Sequence, residues 1–78
     1  MKEKVMHILQ DIRPDVDFEN EKKLIDGGVL DSFDIISIVS EFNDEFDIEI
    51  SVEELEPENF NSVEAMMELI KKLGKGSF

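Results

Sequence analysis

The sequence predicts an all-α fold: a small four-helix bundle of three longer helices and one short one, with a long loop between the first and second helices. Three observations carry that expectation. Apolar residues recur at three- and four-residue spacing within residues 2–13, 32–46 and 63–73, and each set traces one stripe of a 3.6-residue helix. The alternating run Asp47-Ile48-Glu49-Ile50 has no credible partner strand, so it reads as loop. There is no cysteine to staple 78 residues, so helix packing must supply a net stability on the order of 3–5 kcal/mol.

Residues 2–13 form the first helix, with Val5, Ile8, Leu9 and Ile12 on one face and Met6 on its flank; Pro14 stops it. Lys2 and Lys4 oppose the positive helix end, which predicts a frayed first turn. His7 is a lone surface or boundary histidine and is given no role. The connection from Asp15 to Leu30 is long and needs pinning, by Phe18, Leu24, Ile25, Val29 and Leu30, with Asn20 capping a brief turn through Leu24 and Ile25. Asp15, Asp17, Glu19 and Asp26 echo a calcium-binding EF-hand loop. The echo fails because Asn20 replaces the required glycine, Lys23 takes a ligand position and Asp26 is too short to bind bidentately, so no metal site is expected.

The second helix runs from Ser32 to Phe46 with Ile35, Ile38, Val39, Phe42 and Phe46 on its stripe. Ser51-Val52-Glu53-Glu54 has the form of a capping box opening the short helix through Leu55 or Glu56, which Pro57 ends or kinks; Phe60 then plugs the core. Asn61 or Ser62 caps the last helix, with Glu64 completing a box from Asn61. Its stripe is Val63, Met66, Met67, Ile70 and Leu73, the methionines filling gaps in the core. Gly74 ends it, Lys71 and Lys72 suit its negative end, and residues 74–78 are a mobile tail of a single domain spanning residues 1–78.

The stretch from Gly27 to Ile36 organises the rest. Two glycines release the backbone, Val29 and Leu30 anchor it, and Asp31 can cap the helix by accepting from an early N–H. Ser32 then lies at the first helical position, pointing outward, where free N–H groups and the macrodipole favour an attached phosphate. Beside it, Phe33 and Ile36 lie off the core stripe. Either they form an exposed apolar pair ringed by Asp31, Asp34, Glu41 and Asp44, as a docking face requires, or Phe33 folds back onto Val29 and Leu30 as packing.

Twenty acids against eight bases give a formal charge of −12, which argues against nucleic acid and anionic membranes. No base lies between Leu24 and Ile70, a stretch holding fourteen acids, so the Ser32 end projects a negative field suited to basic partners. No segment approaches the ~18 apolar residues of a membrane span, and the N-terminus lacks a signal-peptide core, which places the expected protein in the cytoplasm, as a monomer. No second group stands ready to act as a base for Ser32, and His7 cannot build a triad, so no catalytic residue is expected.

Asp31-Ser32-Phe33 resembles the Asp-Ser-Leu attachment site of acyl carrier and peptidyl carrier proteins, and Phe46-Asp47-Ile48-Glu49-Ile50 resembles the Phe-Gly-Ile-Glu-Ile that closes their long acidic helix. The resemblance covers roughly residues 2–73, and the chain has the length of a free-standing carrier. Phe33 departs from the usual leucine, Asp47 from the glycine that eases the helix end, and Ser37 from an acid common in fatty-acid carriers. The resemblance implies that a separate Mg²⁺-dependent phosphopantetheinyl transferase attaches 4′-phosphopantetheine from coenzyme A to Ser32, recognising Asp31 and Asp34. It also implies acyl or aminoacyl cargo held as a thioester on that arm, and docking through the second helix to a ligase or synthase with a basic surface. Phe42, Phe46 and Phe60 fill the interior with rigid rings, which favours short or aminoacyl cargo. The Val29-Leu30-Asp31-Ser32 approach also resembles D-alanyl carriers and discrete peptidyl carriers, and fatty-acid or polyketide carriage stays open. The competing readings are a small acidic protein-interaction domain without a prosthetic group, in which Ser32 merely starts a helix or is phosphorylated, and an acidic metal-binding module.

Overall fold

Three amphipathic helices bury their stripes against one another in a computed structural model that describes residues 2–74. Helix α1 (Lys2–Ile12) packs on both α2 (Ser32–Phe46) and α4 (Val63–Leu73), and the one-turn α3 (Pro57–Phe60) packs on α4. No strand occurs among the described residues, and Asp47–Ile50 is irregular. The expected tail at residues 75–78 lies outside the described residues.

The core is built from the expected stripes. Val5, Ile8 and Leu9 of α1 are buried with Ile38, Phe42 and Phe46 of α2 and with Val63, Met66 and Ile70 of α4. Ile12, Ile35, Val39, Met67 and Leu73 are half-buried at its margin. Leu69 belongs to the core although the spacing argument passed over it: α4 packs on both α1 and α3, and the wider apolar arc takes in one residue more. The rings of Phe42 and Phe46 meet edge to face at 5.9 Å between centroids and 74° between planes. Phe18 and Leu24 from the long loop and Phe60 from α3 complete the interior, and no polar or charged residue is buried among the described residues.

Lys2 and Lys4, unfavourably placed against the α1 dipole, are compensated by ion pairs to Glu19 at 3.0 Å and Glu45 at 3.5 Å, and the helix begins at Lys2. At the far end of α2, Asp47 takes the left-handed conformation (φ 52°, ψ 51°) that a glycine would adopt without strain. Its N–H and that of Ile48 both reach the Asn43 carbonyl, while the Asn43 side chain accepts from Ile50 N at 2.9 Å. These bonds deliver Ile50 to the core.

Four local expectations are corrected. Ser51 makes no side-chain cap, and Val52–Glu54 is a single 3₁₀ turn; Glu54 instead pairs with Lys72 at 3.4 Å. The short α-helix begins at Pro57 rather than ending there, because proline's fixed φ and missing N–H suit the first helical position. Of the two cap candidates it is Ser62 that caps α4, accepting from Ala65 N at 3.1 Å, and the expected box from Asn61 does not form because Glu64 pairs with Lys22 at 2.9 Å. Asn20 caps no turn: its amide donates to Asp17 at 2.9 Å, and it is Glu21 that accepts from Lys23 N at 3.0 Å.

Candidate functional site

The long loop returns to the bundle through Asn61. The Asn61 carbonyl accepts from Leu24 N at 3.0 Å, and its side-chain oxygen accepts from both Ile25 N and Asp26 N at 3.0 Å. Its amide donates to Asp26 at 3.0 Å. From there the chain turns tightly, with Gly27 N on Lys23 O at 2.7 Å, Gly28 N on Ile25 O at 3.0 Å and Leu30 N on Leu24 O at 2.8 Å. Both glycines are required. A Cβ on Gly27 would stand 2.6 Å from the Lys23 carbonyl oxygen, and Gly28 sits at φ +72°. The turn closes with Leu30 buried in the core, so the next residues emerge at the rim.

Asp31 is extended (φ −109°, ψ −174°) and caps α2 reciprocally with Asp34. The Asp31 carboxylate accepts from Asp34 N at 3.0 Å, and the Asp34 carboxylate accepts from Asp31 N at 3.2 Å. A second aspartate here serves the role usually given to glutamate in a capping box. Ser32 follows as the first helical residue and is exposed. Among the described residues, neither its hydroxyl nor the N–H groups of Ser32 and Phe33 have a hydrogen-bond partner. A free hydroxyl, two free amide donors and the positive end of a fifteen-residue helix form a donor set that fits an esterified phosphate.

Phe33 is 81% exposed and Ile36 62% exposed, so Phe33 does not fold back onto Val29 and Leu30. Glu41 and Asp44 are exposed along the same helix. Asp34, expected on the rim of this face, is turned inward instead: its side chain is 14% exposed and takes an ion pair from Arg13 at 2.6 Å. Arg13 Nη1 also donates to the Val29 carbonyl at 3.2 Å, while Nε and Nη2 grip both Asp15 oxygens at 3.2 Å. The hydrogen bonds to Asp15, then Asp34, hold the guanidinium proton more firmly than usual, and Arg13 in turn holds the Asp15 carboxyl below the usual carboxylate range. Arg13 and Asn61 are the two residues around the site that the sequence reading gave no such role. Nothing local marks these roles, because apart from Asp15 beside Arg13 their partners lie 16 to 36 residues away. Among the described residues, no three His, Asp or Glu side chains converge as a metal site would require.

Residues 3–70 match the family model described as the phosphopantetheine attachment site. The chain belongs to this family. It is therefore a carrier rather than an enzyme, and 4′-phosphopantetheine is its covalently attached group. Among curated proteins it is similar to the acyl carrier protein of Buchnera aphidicola subsp. Baizongia pistaciae (strain Bp), with 42% identity over 53 residues, 68% of this chain and 65% of that one. The matched part thus spans just under two thirds of that relative. It is also similar to the D-alanyl carrier proteins of Bacillus cereus (strain B4264) and Bacillus anthracis (strain CDC 684 / NRRL 3495). Each is 28% identical over 74 residues, 92% of this chain and 94% of theirs. No solved structure matches the chain significantly.

Proposed function

We propose that Ser32 carries the phosphopantetheine arm and that this protein presents short acyl or aminoacyl cargo to partner enzymes from the Phe33–Asp44 face of α2. The observation that carries the reading is the free, exposed hydroxyl one residue after the Asp31 cap. In the loading step the Ser32 oxygen bonds to the phosphorus that bears pantetheine, and the pyrophosphate P–O bond of coenzyme A breaks. The departing nucleotide keeps that electron pair, and the hydroxyl proton passes to a base of the transferase. The bound arm supplies a thiol for thioester cargo, while this chain supplies the anchor and the docking face.

The interior bears on the size of the cargo. A hollow of about 80 Å³ lies between Ile25, Ile35, Leu55, Pro57 and Phe60, roughly half the ~150 Å³ that accommodates one benzene ring. Phe18, Phe42, Phe46 and Phe60 are buried as rigid rings in the core, which favours a short cargo. Short or aminoacyl cargo agrees with the D-alanyl carriers among its relatives. The exposed Phe33 and Ile36 serve as apolar anchors, and Glu41 and Asp44 draw a basic partner, either a transferase or an activating ligase or synthase. No helix among the described residues is long and apolar enough to cross a membrane.

Incubation of the apo chain with coenzyme A, Mg²⁺ and a promiscuous phosphopantetheinyl transferase tests the anchor. The wild type gains the mass of the arm and Ser32→Ala gains none while keeping its helical spectrum. Arm attachment to the Ser32→Ala chain would refute the assignment. An acidic interaction domain without a prosthetic group would leave both chains unmodified.

A further inference from the structure

Arg13 stands one residue beyond α1, and its guanidinium donates on every side. Its partners come from three places: Asp15 just after α1, the Val29 carbonyl at the end of the long loop, and Asp34 in the first turn of α2. The Asp34 oxygen that takes Arg13 Nη1 also takes the Asp31 N–H, so the cation is fastened to the cap that sets the backbone of Ser32. The cap alone cannot locate that backbone relative to the bundle, since its two bonds are internal to residues 31–34. Arg13 ties it to the end of α1 and to the loop. Ile38, Phe42 and Phe46 already hold α2 by burial, whereas the Arg13 side chain is 31% exposed and its pairs are screened by water. A partly exposed cation that ties one helical turn to the loop and to the end of α1 therefore adds little to global stability and much to local order.

We propose that Arg13 is a positioning residue for the loading of Ser32, holding the Asp31–Asp34 cap against the end of α1 so that the hydroxyl is offered in one place. This inference rests on reading Ser32 as the attachment point. Apo wild type, Arg13→Gln and Arg13→Lys are compared with coenzyme A and a promiscuous transferase, varying carrier concentration to separate kcat from KM. Arg13→Gln lowers kcat about tenfold while KM stays within about twofold, because placement rather than affinity is lost. Arg13→Lys recovers part of the loss, since an ammonium reaches Asp34 but cannot hold Asp15 and Val29 as well. Amide exchange at residues 29–35 quickens in Arg13→Gln while that of α4 is unchanged. If the wild type gains no arm, the reading of Ser32 fails. If the wild type loads and Arg13→Gln keeps its kcat, loses only through KM, or slows in step with lost helix content, the positioning role is overturned.

Discussion

Replacing Asn61 by alanine tests whether the long loop is held by one side chain. Its oxygen accepts from Ile25 N and Asp26 N, both at 3.0 Å, and its amide donates to Asp26 at 3.0 Å. A net intramolecular hydrogen bond contributes about 0.5–1.5 kcal/mol, and the part-buried Ile25 N–H would be left without an acceptor. The two backbone bonds together therefore give about 2 kcal/mol, and the exposed bond to Asp26 adds a few tenths. A domain of this size has roughly 3–5 kcal/mol in total, so Asn61→Ala removes about half. At about 4–8 °C per kcal/mol the thermal midpoint falls by roughly 8–16 °C. Asp26→Ala, which removes only the exposed bond, costs less than about 0.5 kcal/mol. Urea unfolding followed by circular dichroism at constant m-value reads both. Asn61→Ala within about 0.5 kcal/mol of wild type, or Asp26→Ala as costly as Asn61→Ala, would refute the reasoning.

Asp47→Asn keeps a side chain that tolerates positive φ and removes a negative charge from the negative end of α2. It raises stability by about 0.5 kcal/mol, whereas Asp47→Val lowers it, as differential scanning calorimetry will read. The pH dependence has a defined sign. Because Arg13 lowers the Asp15 carboxyl in the folded chain, that contribution is present above the ordinary carboxylate value and is lost as pH falls through the lowered one. The difference in thermal midpoint between wild type and Arg13→Gln therefore narrows on acidification below about pH 4. Glu56 runs the other way: the hydrogen bond and charge of Glu58 raise it, so its contribution is present at low pH and lost as pH rises through the raised value. Glu58→Gln accordingly raises the midpoint at neutral pH, and the gain disappears in acid.

What the sequence disclosed depended on the range of the interactions involved. The α2 boundaries and the Asp31 cap follow from periodicity and a motif lying within a few residues, and they match the expectation, whereas the sequence left Phe33 open between exposure and packing and only the fold leaves it exposed. The misplaced short helix shows a local conflict. Ser51-Val52-Glu53-Glu54 has the letters of a capping box, yet Lys72, eighteen residues on, takes Glu54, and Pro57 offers a better helix start. Asn61 reads locally as a cap in the same way, and only the fold places Ile25 and Asp26 against it. Arg13 and Asp34 lie 21 residues apart and share no motif. Long-range polar contacts of this kind leave no periodic trace, so pattern reading recovers the helices and misses what fastens them.

The charge distribution along α2 cannot be explained by the stability of the helix. Asp34 in the first turn is favourable to the dipole and is paired, but Asp44, Glu45 and Asp47 crowd the negative end and no base lies in the last turn. Each costs a few tenths of a kcal/mol there, and Lys4 on Glu45 offsets one of them at 3.5 Å. Meanwhile Lys2, Lys22 and Lys72 are turned onto acids outside α2. These internal pairs consume bases that would otherwise dilute the acidic face. The exposed side of the helix thus stays negative around Phe33 and Ile36 at a local cost, an arrangement that suits the proposed recruitment of a basic partner. If that is the purpose of the arrangement, Glu41→Gln combined with Asp44→Asn stabilises the free chain slightly while slowing its association with the partner, most strongly at low salt.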